Sequence, residues 1–158
     1  MVYDFNADEI FEMAEQIERN GASFYRKSAE AITDPGAKKL LLDLAAMEDE
    51  HEKTFADLRK GLSEKEKAIT AFDPEDEAVL YLRALADTRV FFEKKIDTSS
   101  MKDILEEAIL SEKASIVFYV GMKEVVPVNL GKTKIDTIIK EEMAHIKLLS
   151  KELVALKK

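Results

Sequence analysis

The stretch Leu41–Leu58, LLDLAAMEDEHEKTFADL, decides how the rest of the chain is read. Leu41, Leu44, Ala45, Glu48, His51, Phe55 and Leu58 recur at spacings of three and four, which puts them on one stripe of an α-helix. That stripe is apolar except for one carboxylate and one imidazole at its middle. An ionised carboxylate is costly to bury unless something pairs with it. Glu48 and His51, three apart, can face a single point, and a metal ion is the species that would satisfy both there. One such pair is weak evidence, because Glu-x-x-His arises readily by chance in an acidic helical chain.

The pair returns. Glu142 and His145 stand in IIKEEMAHIKLL (138–149), where Ile135, Ile138, Leu149 and Leu153 complete a stripe of the same kind. His51 and His145 are the chain's 2 histidines, and each follows a Glu by three positions. Histidine is the commonest side-chain metal ligand, so the duplication points to a metal site.

Composition removes most other chemistries. At 158 residues the chain is read as a single domain, long enough for a proper core. It has 0 cysteines, which excludes disulfides, thiolate zinc sites, iron–sulfur clusters and cysteine nucleophiles. A net charge of −8 argues against nucleic acid as a partner. No apolar run approaches the length of a membrane span, and the N-terminus MVYDFNADEI is acidic and lacks a signal-peptide pattern. The expected location is cytoplasmic, with no membrane association. Abundant Lys and Glu beside one Gln and three Asn hint at a heat-adapted source. Only 5 Gly and 3 Pro interrupt long periodic runs, so the class is all-α.

Punctuation divides those runs into four long helices. The first is expected to open at Asn6, whose side chain can cap, with Glu9 three residues on, and to run to about Thr33. Its stripe reads Ile10, Ala14, Ile17/Glu18, Gly21, Phe24/Tyr25, Ser28 and Ile32, so Glu18 lies among apolar positions. Asp34-Pro35 stops one helix and starts the next, Asp as cap and Pro at the first helical position. The second helix then runs to about Lys60. A third opens near Ser100, with Asp103 three residues on, and Pro127 ends it. The fourth follows the turn at 129–131 and continues to the C-terminus. Between them, residues 61–99 are polar and irregular at first, and Asp73-Pro74 then starts a short helix.

The two helical hairpins, 7–60 and 100–157, repeat one another. A shift of 94 maps Glu18, Phe24, Tyr25, Glu48 and His51 onto Glu112, Phe118, Tyr119, Glu142 and His145. The connector 61–99 constrains how the hairpins meet. A 26-residue helix spans roughly 39 Å, which a connector of this length can cover. It is therefore expected to cross the whole bundle, making the second and third helices parallel and relating the hairpins by a pseudo-two-fold axis.

Six groups would then meet at the centre: Glu18, Glu48, His51, Glu112, Glu142 and His145. Four crowded carboxylates without cations repel one another and are driven towards protonation. Two divalent ions would neutralise them. Oxygen-rich donors with a little imidazole suit iron or manganese, whereas structural zinc takes fewer carboxylates and haem does not match histidines already paired with Glu. The symmetric assignment has Glu48 and Glu142 bridging the ions. Glu18 and His51 would complete one position, Glu112 and His145 the other.

On these residues the chain resembles the ferritin-like di-iron carboxylate proteins, which place one Glu on each of two helices and Glu-x-x-His on the other two. It is similar in particular to their rubrerythrin branch. Glu18 with Phe24-Tyr25, Glu48-Asp-Glu-His51, Glu112 with Phe118-Tyr119, and Glu142-Met-Ala-His145 carry that likeness. The resemblance implies a ferritin-like four-helix bundle with a long crossover between helices 2 and 3. It also implies two bound irons and a redox activity. In such relatives tyrosines lie near the metals and hydrogen-bond a ligand carboxylate, a role the resemblance carries to Tyr25 and Tyr119.

Two departures stand out. The rubredoxin-like module, with its four-cysteine iron site, is missing, so electrons are expected from an external donor protein. A further Glu ligand often follows the third-helix ligand by three residues; here that position is Ser115, and its repeat partner is Gly21. The expected function is reduction of hydrogen peroxide or oxygen by a homodimer. The alternatives are a ferroxidase or iron-storage subunit and a metal-free interaction bundle. Glu15, Glu50, Glu52 and Glu141 read as a solvated face, while Val79, Leu80, Leu82, Phe91 and Phe92 read as cover for the bundle or a partner subunit.

Overall fold

Four helices are built from the punctuation just described: α1 (Ala7–Ala31), α2 (Pro35–Lys60), α3 (Met101–Val125) and α4 (Lys132–Leu156). The computed structural model describes residues 7–64, 82, 100–126 and 129–157. Asp34 adopts an extended backbone (φ −64°, ψ 121°), and its carboxylate accepts the Ala37 N–H at 2.8 Å, with Pro35 following as the first helical residue. A proline disfavours helical backbone at the residue before it, so Asp34 leaves the helix, and α1 ends at Ala31, two residues before the expected Thr33. Ser100 caps α3 by accepting the Asp103 N–H at 3.1 Å. The proposed cap at Asn6 and the stop at Pro127 lie outside the described residues.

The turn into α4 depends on Gly131, whose φ of 114° is a left-handed conformation that side chains resist. Space forbids a side chain as well. A Cβ there would stand 2.7 Å from Leu58 Cδ2, near the end of α2. Gly131 therefore sets how closely the α3–α4 hairpin closes on the α1–α2 hairpin.

Helix directions follow from two hydrogen bonds between hairpins. Tyr25, late in α1, reaches Glu112, in the first half of α3; Tyr119, late in α3, reaches Glu18, earlier in α1. The two helices thus lie side by side and antiparallel. Because Asp34 turns α2 back along α1, α2 and α3 run parallel, as the crossover expectation requires. The short helix expected within 61–99 lies outside the described residues. Within the connector Leu82 is described. It is fully buried, whereas Val79, Leu80, Phe91 and Phe92 fall outside the described residues.

Two apolar clusters result, one towards each end of the bundle. One joins Ile10, Phe11, Ala14, Phe55, Leu82, Phe118, Met122 and Ile135. The other joins Ala29, Leu41, Leu44, Ala45, Ile104, Leu105, Ala108 and Leu149. Burying each large side chain contributes on the order of 1.5–3 kcal/mol, and their combined burial holds the polar centre between them dry. The fold is all-α, and no described helix is long and apolar enough to cross a membrane.

Candidate metal centre

Each helix brings one carboxylate to the middle of the bundle, and α2 and α4 each add an imidazole one turn further on. Glu18 comes from α1, Glu48 and His51 from α2, Glu112 from α3, and Glu142 and His145 from α4. All six are buried, none more than 4 % exposed. Their ligating atoms form two quartets, each spanning no more than 4.8 Å: Glu18, Glu48, His51 and Glu142, and Glu48, Glu112, Glu142 and His145. Glu48 and Glu142 belong to both, and so sit between the other members.

The histidines are arranged alike. His51 Nδ1 lies 3.0 Å from Glu142 Oε1, 3.4 Å from Glu18 Oε2 and 3.7 Å from Glu48 Oε2. His145 Nδ1 lies 3.0 Å from Glu142 Oε2, 3.3 Å from Glu112 Oε1 and 3.4 Å from Glu48 Oε1. The rings stack 5.7 Å apart with 20° between their planes. Tyr25 Oη donates to Glu112 Oε1 at 2.5 Å, and Tyr119 Oη donates to Glu18 Oε1. Each phenol thus crosses from its own hairpin to fix a carboxylate of the other. Burial and the nearby carboxylates push both phenols above their ordinary range, so they stay protonated donors.

The carboxylates divide into two kinds. Burial, reinforced by the charge on Glu48, raises Glu18 and Glu112 well above the usual carboxylate range. Burial also pushes Glu48 and Glu142 up, but hydrogen bonds with Glu18 or Glu112 and with the histidines outweigh it and leave both lowered. Burial acts downward on the imidazoles, and the surrounding carboxylates overcome it: His145 is pushed up to about 12, and His51 is raised further. For His145 the attraction is one of charge, since neither ring nitrogen makes an aligned hydrogen bond among the described residues. Without metal, then, protons are drawn towards Glu18, Glu112 and the two imidazoles, while Glu48 and Glu142 are held towards the ionised form.

That arrangement has the shape of a cation site filled with protons. Glu18 Oε2 and Glu142 Oε2, which face the centre, are buried with no hydrogen-bond partner among the described residues. Buried polar atoms are normally satisfied, and acceptors left open towards a common point are what divalent ions take up. The donor set, carboxylate oxygens with one imidazole per quartet, fits iron or manganese.

Of the acidic residues read as solvated, Glu15 is drawn inward, and Glu141, 48% exposed as read, also makes a contact with the centre. Glu15 is only 9 % exposed and pairs with Arg59 at 3.0 Å, beside Asp8. Glu141 accepts from His51 Nε2 at 2.6 Å. No periodicity within α4 announces that contact, because it depends on how α4 packs against α2. Glu50 is exposed, and Glu52 pairs with Arg19 at 2.9 Å, as a polar face requires. Gly21 leaves room for a carboxylate: a Cβ there would touch Glu48 Cδ at 3.5 Å. The hydroxyl of Ser115 turns back to the Ser111 carbonyl at 3.0 Å.

The rubrerythrin family model matches residues 9–98, which include Glu18, Glu48 and His51. The fold is similar to a crystal structure of a Thermotoga maritima protein named as a ferritin-like diiron-carboxylate protein. That similarity has a TM-score of 0.70 at 20% sequence identity and covers 97% of each chain. At that identity the likeness speaks for the fold. No curated protein matches the chain.

Proposed function

The chain belongs to the rubrerythrin family, and from that premise we propose that it is a di-iron oxidoreductase that reduces hydrogen peroxide or oxygen with electrons from an external donor protein. The observation that carries the reading is the pair of buried quartets sharing Glu48 and Glu142. Glu18 and His51 would complete one ion position, Glu112 and His145 the other. Iron held there would supply two electrons, which with two protons take hydrogen peroxide to two waters.

The chain's own residues do the rest. Four carboxylates match the charge of two divalent ions, so a low-dielectric centre holds them without net charge. Tyr25 and Tyr119 hold Glu112 and Glu18 in place and, remaining protonated, can lend a proton towards an oxygen species beside them. The apolar clusters at each end exclude water, which guards against leakage of reducing equivalents. These 158 residues hold 0 cysteines, and the electron donor we propose is a separate protein. A homodimer working in the cytoplasm is the assembly we propose.

The test is anaerobic loading with ferrous iron followed by stopped-flow mixing with peroxide or with oxygen. Two irons per chain, oxidised at two per peroxide consumed and faster by peroxide than by oxygen, are expected. Oxidation followed by retention of many tens of ferric ions per chain, in a hollow multi-subunit particle, would instead establish a ferroxidase or storage role. A chain that takes up no iron would overturn both.

A further inference from the structure

The internal repeat makes the two halves of the centre nearly interchangeable, so any place where they differ has consequences. The shift of 94 that superposes the six ligands maps Glu141 onto Met47. Glu141 stands on α4 immediately before Glu142, and its carboxylate accepts the outer ring nitrogen of His51 at 2.6 Å. Met47 stands on α2 immediately before Glu48 and carries no acceptor of that kind. His145 Nε2 accordingly has no hydrogen-bond partner among the described residues, although His145 is only 1 % exposed.

A neutral imidazole has one N–H and one lone pair. Nδ1 of each histidine faces the shared carboxylates, so with an ion bound that nitrogen would be the ligand and the proton would reside on Nε2. For His51 the outer N–H meets a carboxylate, which fixes the tautomer and the ring orientation and makes Nδ1 a stronger donor. For His145 the same N–H is buried and meets no acceptor among the described residues, so the ring is held on its inner side alone. We propose that Glu141 is a positioning residue that makes the two ion positions unequal: the Glu18–His51 position fills first and holds its ion more tightly than the Glu112–His145 position. This rests on the two-ion reading above.

The magnitude follows from the role. Loss of a carboxylate behind a ligating histidine typically costs about 10–100-fold in metal affinity. The probe is manganese(II) alone, titrated anaerobically into metal-free protein, with free ion read from its electron paramagnetic resonance signal. The unaltered chain is expected to bind two ions in steps separated by about 10–100-fold. Glu141→Ala should weaken the tight step by that factor and leave the second unchanged, so that the steps merge. Glu141→Gln, which keeps an acceptor oxygen, should fall between. Met47→Glu should tighten the weaker step and spare the tight one. Because Glu141 and Met47 are 48% and 42% exposed, these changes leave the core intact. Equal weakening of both steps by Glu141→Ala, no weakening of either, or a second step indifferent to Met47→Glu overturns the inequality while leaving two ions bound. Fewer than two ions bound by the unaltered chain overturns the two-ion reading itself.

Discussion

Filling the centre with metal should expel protons, and the groups that hold them set the expected number. In the metal-free centre burial pushes Glu18 and Glu112 up towards the protonated form and the surrounding carboxylates push both histidines up towards imidazolium, while hydrogen bonds hold Glu48 and Glu142 low. Two divalent ions require all four carboxylates ionised and both Nδ1 lone pairs free. Near neutral pH roughly four protons must therefore leave per pair of ions, one from each of Glu18, Glu112, His51 and His145. The overall association constant should then rise by roughly four powers of ten per pH unit, about 5 kcal/mol in summed binding free energy. The assay is titration calorimetry with manganese(II) in buffers of differing ionisation enthalpy, where the dependence of apparent enthalpy on buffer gives the proton count directly. The sign also fixes stability. A group raised in the folded state stabilises fully below its unfolded value and loses that contribution as pH rises. The unfolded references here are 4.5 for the Glu pair and 6.5 for the histidines, so metal-free protein should melt at progressively lower temperature as pH rises above these values. The gap between loaded and metal-free melting temperatures should widen over the same range. Release of fewer than about two protons per pair of ions, with a gap that does not change with pH, would refute the reasoning.

Glu48→Ala or Glu142→Ala should abolish binding of both ions by elemental analysis, because each residue belongs to both quartets; Glu18→Ala should spare one ion. Tyr119→Phe removes the donor to Glu18 within a fully buried site and should cost about 1–3 kcal/mol by denaturant unfolding of the metal-free protein, with helix content unchanged. Gly131→Ala combines a disfavoured φ with a close approach to Leu58, and should destabilise the chain by about 1–3 kcal/mol without lowering its metal content.

Much of this was legible in the amino-acid order because the chain is punctuated and duplicated. Asp34-Pro35 and Ser100 mark helix starts with groups whose only local use is to cap, and both do so. The repeat located the six buried groups because side chains that must converge on one point tolerate no change of spacing. Parallel α2 and α3 followed from the length of the connector, and the crossed pairs Tyr25–Glu112 and Tyr119–Glu18 display the same geometry from inside the bundle.

Glu15 and Glu141 were illegible for a common reason. Helical periodicity reports which side of a helix faces inward, not what the neighbouring helix presents to its flanks. Glu15 is drawn in by Arg59, which lies 44 positions away, and Glu141, though half exposed, is engaged by His51, 90 positions away. Neither partner shares a period with it. The six central groups differ because the centre must balance its charge whatever fills it. Protons on Glu18, Glu112 and the histidines, or a pair of cations, are alternative solutions to one electrostatic condition. That condition binds the ligands of both hairpins equally, so their repeat is plain in the sequence. It places no demand on position 47 or 141, and there the halves are free to diverge; a carboxylate against one histidine and a thioether at the matching place give two otherwise matched ion positions different strengths.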